Sequence, residues 1–447
     1  MIRALVLACL LPAWAEGAWA QETLSLTDAL ALAERHHPEL TRARSGVAAA
    51  GAGQRTARAA FLPGVQASTS FDVARVRRFT TTDVFGNPAE REEAVETTWR
   101  GASQGIFVDW TIFDGGKTLA GARAAGARHR AAEAALGAAW SGVRTEVARA
   151  YFHLLERERT LDVERAILEA RRRDIETTRR LFPIVAADLI DVLGARIVAR
   201  RQEVAVASAE EAALSAGLEL ARAVGAWIDP EARLGAPFEP FDPDSLDMEA
   251  LVREALSAHP EIRRLAAQLD AARAESWDDG WLAYLPGVAA SATYLRSEFG
   301  GSARPFFELD PRDTAASFGL RVTLPLFDRF TRYAEHARAK AAVAEAGAAL
   351  QARRLEAETG IRARFHDLRS AWKSLDIEVE TAAMARERAD LARAKYEVGA
   401  IDFTRLQQVL DGATEAERTL VQRRFEYYRA LVELERAVGR PVALPEG

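Results

Sequence analysis

The chain has 447 residues, of which 49% are hydrophobic and 28% charged, and its formal net charge is −6. That balance excludes a disordered chain, and acidic residues outnumber basic ones 65 to 59, which argues against nucleic acid as a partner. Beyond the N-terminus no run approaches the roughly 18–20 apolar residues of a spanning helix, which excludes an inner-membrane transporter.

The N-terminus reads as an export signal over residues 1–20. Arg3 supplies the positive charge, Ala4 to Pro12 the apolar core, and Ala18-Trp19-Ala20 a small-x-small site for cleavage before Gln21. Cys9, the single cysteine, leaves with that signal, so neither a disulfide nor a cysteine metal site is expected. Reading Cys9 as a lipid-acceptor cysteine is the alternative; the apolar core before it is short for that.

The rest of the chain is two copies of one pattern. His37-Pro38-Glu39-Leu40 recurs as His259-Pro260-Glu261-Ile262, 222 residues on, and Leu62-Pro63-Gly64-Val65 as Leu285-Pro286-Gly287-Val288, 223 on. Phe113-Asp114 recurs as Phe327-Asp328 and Ala223-Val224-Gly225 as Ala437-Val438-Gly439, both 214 on. The first repeat is placed at 21–230, a linker at 231–245, the second repeat at 246–440 and a tail at 441–447.

Within the first repeat, Ser25 or Thr27 can cap a helix running to about Ala60, with Pro38 dividing it. Residues 65–73 and 102–112 alternate with a period of two and read as strands. Ala74 to Trp99, with charges, threonines and Gly86-Asn87-Pro88, reads as a long exposed loop. Lys117 to Arg180 lacks proline and keeps helical spacing, a helix of about 100 Å. Pro183 interrupts it, and a second helix runs from about Asp188 to Ala226, giving a hairpin over 114–226. The second repeat has strands at 288–296 and 316–324 and a helical hairpin over 328–439.

Helices of this length exceed a globular domain and belong in a coiled or barrel-like bundle. The strands show one apolar and one small or polar face, as in membrane barrels. Four strands cannot close a barrel, and open edges cannot sit in lipid. Several chains must therefore share one: two give eight strands, three give twelve, and a transport role favours twelve. Strands of a soluble sandwich, or a periplasmic coiled-coil adaptor or scaffold protein without a pore, are the alternatives.

The ordered set Leu24-Ser25-Leu26-Thr27-Asp28-Ala29-Leu30, His37-Pro38-Glu39-Leu40, Phe61-Leu62-Pro63 and Phe113-Asp114-Gly115-Gly116-Lys117 resembles the outer-membrane efflux protein family of the TolC type. So do Leu324-Pro325-Leu326-Phe327-Asp328 and Lys395-Tyr396-Glu397-Val398-Gly399. The resemblance implies a mainly α fold with a membrane β part. It implies a homotrimer whose α-helical barrel continues into a shared twelve-stranded β-barrel, with two structural repeats per chain. It further implies an exit duct of a tripartite efflux or type I secretion system in the outer membrane of a Gram-negative bacterium, extending into the periplasm. Its partners would be a periplasmic adaptor and an inner-membrane pump.

The turns between the long helices carry the candidate sites. The family engages adaptor hairpins through a Val-Gly pair, here Val398-Gly399 with Ala400 next, whereas the first repeat has Ile184-Val185 behind Pro183. Relatives narrow the tip with paired aspartates where this chain has Arg405 and Gln408. Asp191 is the first-repeat counterpart of Arg405, and Asp188 lies just before it, so Arg405–Asp191 pairs are one candidate gate. The alternative is that both face solvent without contact; Asp402 and Asp411 are the other candidates for the lumen. No His-Glu-x-x-His, Gly-x-Ser-x-Gly or Gly-x-x-x-x-Gly-Lys motif occurs, and the histidines of the His-Pro-Glu motifs read as helix-boundary residues, so neither an enzyme, a cofactor nor a metal site is expected.

Overall fold

The computed structural model describes residues 23–82, 84–181, 189–230, 232–235, 239–276, 285–300, 313–324, 326 and 330–442. The expected export signal over residues 1–20, Ile184, Val185, Asp188, the Phe327-Asp328 pair and residues 443–447 lie outside the described residues.

In chain order the elements are α1 (Leu26–His36), α2 (Pro38–Ala59), β1 (Gly64–Thr82), β2 (Pro88–Phe113), α3 (Lys117–Leu181) and α4 (Leu189–Val224). The second set is α5 (Met248–Ala258), α6 (Pro260–Glu275), β3 (Gly287–Gly300), β4 (Asp313–Thr323), α7 (Thr331–Glu397) and α8 (Phe403–Val438). The offset of 214 holds to the residue at the starts of α3 and α7 and at both ends of α4 and α8.

The repeated motifs are the boundaries of these elements. Ser25 caps α1 in a reciprocal capping box with Asp28. His37 and His259 end α1 and α5, and the prolines after them open α2 and α6, where a missing N–H costs nothing. The His37 Nδ1 accepts from the Glu39 N–H at 3.2 Å, so one side chain serves both helices. Gly225 follows α4 at φ 74, and a Cβ there would stand 2.9 Å from Pro38 Cδ. Two motifs distant in sequence are thus two sides of one close contact. Asp114 caps α3 by accepting from the Thr118 N–H at 2.9 Å and its hydroxyl at 2.6 Å.

The compact units do not follow the repeats. One unit comprises the chain up to Arg42, Ala139–His259 and Ala357 onward; the other comprises Ala43–Ala138 and Pro260–Glu356. Each draws on both repeats.

The second unit holds one antiparallel sheet of order β1-β2-β3-β4. The register pairs Val65 with Val108, Ile106 with Tyr294, and Leu320 with Ala290, so apolar side chains gather on one face. Val65, Ile106, Trp110, Phe318, Leu320 and Val322 are all exposed on the isolated chain. The other face carries Gln66, Ser68, Ser70, Asp109, Ser291 and Gly319. The expected loop over 74–99 is instead strand: β1 and β2 pair as far as Thr82 and Pro88, with an irregularity between Arg78 and Thr80. Its polar composition hid it, because cross-strand ion pairs such as Arg75–Glu96 at 3.4 Å replace apolar alternation there.

The first unit has its main core where α1, α3, α4, α5, α7 and α8 supply buried side chains, among them Leu155, Leu220, Leu251, Leu368 and Leu431. Phe152 stacks on Tyr428 at 4.9 Å. The linker is anchored here. The Tyr427 hydroxyl donates to Phe241 O at 2.9 Å, and the Tyr151 hydroxyl donates to Leu24 O at 3.1 Å and Gly235 O at 3.2 Å. Burial pushes both phenols up to about 12, so they stay donors at any physiological pH. Among the described residues no helix is long and apolar enough to cross a membrane.

Candidate functional site

The turn after α7 has a defined chemistry. Gly399 has φ 69, its N–H donates to Tyr396 O at 3.0 Å, and the Ala400 N–H donates to Lys395 O at 2.8 Å. That is a Schellman closure, and its left-handed residue favours glycine. Among the described residues nothing lies within 4 Å of the place a Gly399 Cβ would occupy, and Val398 beside it is 80% exposed. The glycine is therefore set by backbone conformation, and the surface over it is open. Asp402 then caps α8, accepting from the Arg405 N–H at 2.6 Å.

A small core anchors this turn. Tyr396, Phe403, Leu406, Val409 and Leu410 pack with Ala195 of α4 and Ile175 of α3. Gly194 lets Phe403 approach, since a Cβ there would be 3.1 Å from its ring.

Of the candidate gate residues, Asp191, Arg405 and Gln408 are among the described ones. Arg405 donates from Nη1 to Gln408 Oε1 at 3.2 Å, within one turn of α8. Asp191 lies in the first turn of α4, and its charge helps raise the Tyr396 phenol, an effect led by burial. The two residues thus stand in the first turns of α4 and α8, the second helices of the two hairpins. Asp411, the other lumen candidate, accepts from Arg171 at 2.7 Å, and Asp402 is committed to its cap.

The sequence gives little hint of two further networks. Asp174 of α3 is buried, lies 3.5 Å from Arg393 Nε, and its Oδ2 has no hydrogen-bond partner among the described residues. Burial raises its carboxyl above the usual range, against the opposing charges of Arg393 and Arg171. It lines a groove of about 670 Å³ with Thr177, Arg393, Tyr396 and Leu406, and the Tyr396 hydroxyl reaches Thr178 Oγ1 at 3.4 Å. The second network is a ladder of ion pairs between α3 and α8. It comprises Arg149–Glu433, Glu156–Arg429 at 2.6 Å, Glu164–Arg418 at 2.7 Å and Arg171–Asp411 at 2.7 Å. Glu164 also accepts from Gln202 Nε2 of α4 at 2.5 Å, and the Arg418 bonds hold its carboxyl below the usual range. The signal was present as charges seven or eight residues apart on α3, matched by opposite charges on α8. Among the described residues no cluster of His, Cys, Asp or Glu is placed to hold a metal ion.

Comparisons with known proteins agree with this architecture. The model of the outer membrane efflux protein family matches residues 29–226 and 251–440, one block in each half. Protein CyaE of Bordetella pertussis is 28% identical over 389 residues, spanning 85% of this chain and 76% of CyaE. The outer membrane protein VceC of Vibrio cholerae superposes with a TM-score of 0.73 at 19% identity, covering 93% of this chain and 96% of VceC. The CmeC outer membrane channel of Campylobacter jejuni gives 0.74 at 16% identity, covering 94% and 90%. With both repeats matched by one family model and the fold shared with outer-membrane channels, the chain belongs to the outer membrane efflux protein family: an outer-membrane exit duct, not an enzyme.

Proposed function

We propose that this chain is the outer-membrane component of a tripartite export assembly, working as a homotrimer with a periplasmic adaptor and an inner-membrane pump. The observation that carries the trimer is the sheet. Its four described strands pair in the order β1-β2-β3-β4, which leaves β1 and β4 as edges on the single chain. Lipid tolerates no open edge, and its apolar face bears Phe318, Leu320 and Val322, the residue types of a lipid-facing belt. Three copies supply twelve strands and a lumen that eight would fill with side chains. The long hairpins carry the duct into the periplasm. Val398, Gly399 and Ala400 form the adaptor-docking turn in this reading, joined by Ile184 and Val185 of the first repeat. Asp188, Asp191, Arg405 and Gln408 stand at the gate, with Arg405–Asp191 pairs holding it closed. The pump, not the duct, selects the cargo.

The test is the mass of the protein extracted in detergent from purified outer membranes, by light scattering. A trimer is expected, followed by channel conductance in planar bilayers. A monomer would refute the shared barrel, and a dimer its twelve strands.

A further inference from the structure

The apolar face of the sheet ends in a rim of arginines. Residues directly opposite in an antiparallel pair share a face, so the register fixes which side chains continue that face. On β1 the alternate residues from Val65 to Val73 are uncharged, and the next two are Arg75 and Arg77. On β2 the run from Trp110 to Ala102 ends at Arg100, which pairs with Val73. On β3 the run from Ala290 to Tyr294 ends at Arg296, which pairs with Gln104, and on β4 the uncharged Thr314 takes that place. Short of the irregularity after Arg78, the same face carries the carboxylates of Glu96 and Glu298, whereas Asp72, Asp109 and Asp313 fall on the opposite face.

This rim lies on the outer side of the membrane. The chain passes from α2 into β1 at Gly64 and from β2 towards α3 at Phe113, and β4 leads on to α7, so the helices join one end of the sheet. The turn between Thr82 and Pro88 is at the other end. With the helical hairpins in the periplasm, that end faces the exterior. Val65 and Arg75 are ten residues apart, about 33 Å along a strand and about 25 Å of depth at a tilt of about 40°. That depth equals the height of a membrane barrel's apolar band, so the arginine rim stands at the level of the outer-leaflet headgroups.

Charge does not balance at the rim. Arg75 and Arg77 share one carboxylate, Glu96, at 3.4 Å and 3.7 Å, and both stay largely exposed. Arg100 is the diagonal neighbour of Arg75, about 7–8 Å away between backbones. Arg296 lies one strand over and four residues along from Arg100, about 14 Å away, with Glu298 between them. Four arginines against two glutamates leave an excess of two positive charges per chain. Like charges so placed repel unless an anion joins them, and guanidinium forks match phosphate bidentately. We propose that the rim binds a bisphosphorylated glycolipid of the outer leaflet, one phosphate at Arg75, Arg77 and Arg100 and the other at Arg296. The separation suits phosphates carried at the two ends of a disaccharide, which a headgroup with one phosphate cannot bridge, and Glu298 between them accepts from sugar hydroxyls. This inference rests on the lipid-facing reading of the sheet and names the lipid that meets its outer edge.

The test titrates bisphosphorylated lipid A into the full protein, extracted as its oligomer from outer membranes in detergent, with binding read by calorimetry. Wild type is expected to bind saturably, and removing both phosphates from the lipid to weaken binding by about tenfold or more. Arg75→Gln with Arg100→Gln is expected to cost as much, and Arg78→Gln, on the opposite face, to cost nothing. Should the double variant yield no oligomer, Arg296→Gln alone is read instead and is expected to weaken binding several-fold. The inference is overturned if the dephosphorylated lipid or phosphatidylglycerol binds wild type as tightly, if the rim variants bind like wild type, or if Arg78→Gln weakens binding equally. Each of these outcomes leaves the barrel standing, because the oligomer is recovered from the membrane. A wild-type protein absent from outer membranes would instead overturn the lipid-facing reading, and the inference with it.

Discussion

Gly399 separates two roles that one residue can hold. As the left-handed closing residue of α7 it spares the chain the strain a side chain would bring. As part of an open surface it lets a partner's backbone come close. Gly399→Ala costs about 1 kcal/mol in the turn, because among the described residues the new Cβ meets no neighbour within 4 Å and only the backbone objects. That is roughly a fivefold loss in population of the closed turn. Asparagine tolerates the left-handed conformation better than other side-chain-bearing residues, so Gly399→Asn keeps the cap and adds only bulk on the open side. The assay is recovery of the adaptor with the affinity-tagged duct from its native host, normalised to oligomer in the outer membrane. Gly399→Asn is expected to give wild-type oligomer and at least tenfold less adaptor. If Gly399→Asn recovers the adaptor fully while Gly399→Ala does not, the glycine serves only its cap and the docking role is refuted.

Arg405→Ala is expected to raise closed-state conductance in planar bilayers several-fold, and Asp191→Ala to match it; unchanged conductance removes the pair as a gate. Glu164→Gln loses the charge that holds both Arg418 bonds and is expected to cost about 2 kcal/mol, discounted for the partly exposed guanidinium, read as the midpoint of helix melting by circular dichroism. Arg418 lowers the Glu164 carboxyl from its ordinary 4.5, so this stabilisation is full above that pH and is lost as pH falls through the folded value. The difference between wild type and Glu164→Gln should therefore shrink on acidification, and a difference that grows would contradict it. Asp174 has the opposite sign: burial raises its carboxyl above 3.8, so its ionised form destabilises the fold above the folded pKa and the penalty fades as pH falls. Asp174→Asn is expected to raise the melting midpoint at pH 7 and to change it little below pH 3.8; a lowered midpoint at pH 7 would show that Arg393 outweighs burial.

How much of this was legible follows from what each signal measures. The long helices were legible because proline is absent over 117–180, and the 214-residue offset placed the starts of their copies. The strands were legible only where one face is apolar. Beyond Val73 the β1–β2 ladder continues on polar residues, and alternation vanishes although pairing does not. The role of the His-Pro-Glu motif as a boundary could be read locally, but its contact with Gly225 could not, since close approach leaves no periodicity. At the turn, Val398-Gly399 stood out as a pair, whereas Asp174 did not. Nothing in Arg171-Arg172-Arg173-Asp174 says that Arg171 and Asp174 face inward, because a charged run reads as solvated until its partners on α7 and α8 are placed.

The charged seam of α3 on α8 and the exposed apolar rows of α4 and α7 respond oppositely to salt. The ion pairs of α3 on α8 are partly exposed: Arg418 and Arg429 keep 38% and 44% of their side-chain surface. Such pairs fix register more than they add stability, and salt screens them. The rows on α4 and α7 are aliphatic, and apolar burial is unmoved by screening and strengthened by excluded salts. A charged seam suits helices already tied in one chain, since it need only choose among registers. Raising ionic strength from about 0.05 to 1 M, where the screening length falls to about 3 Å, should therefore loosen α8 around Asp411–Arg418 first. Hydrogen exchange of the detergent-solubilised oligomer reads this directly: amides of that segment should exchange several-fold faster, with those of Ile190–Val204 unchanged. Equal acceleration in both segments, or faster exchange in α4 alone, would show that the two surfaces do not divide by chemistry in this way.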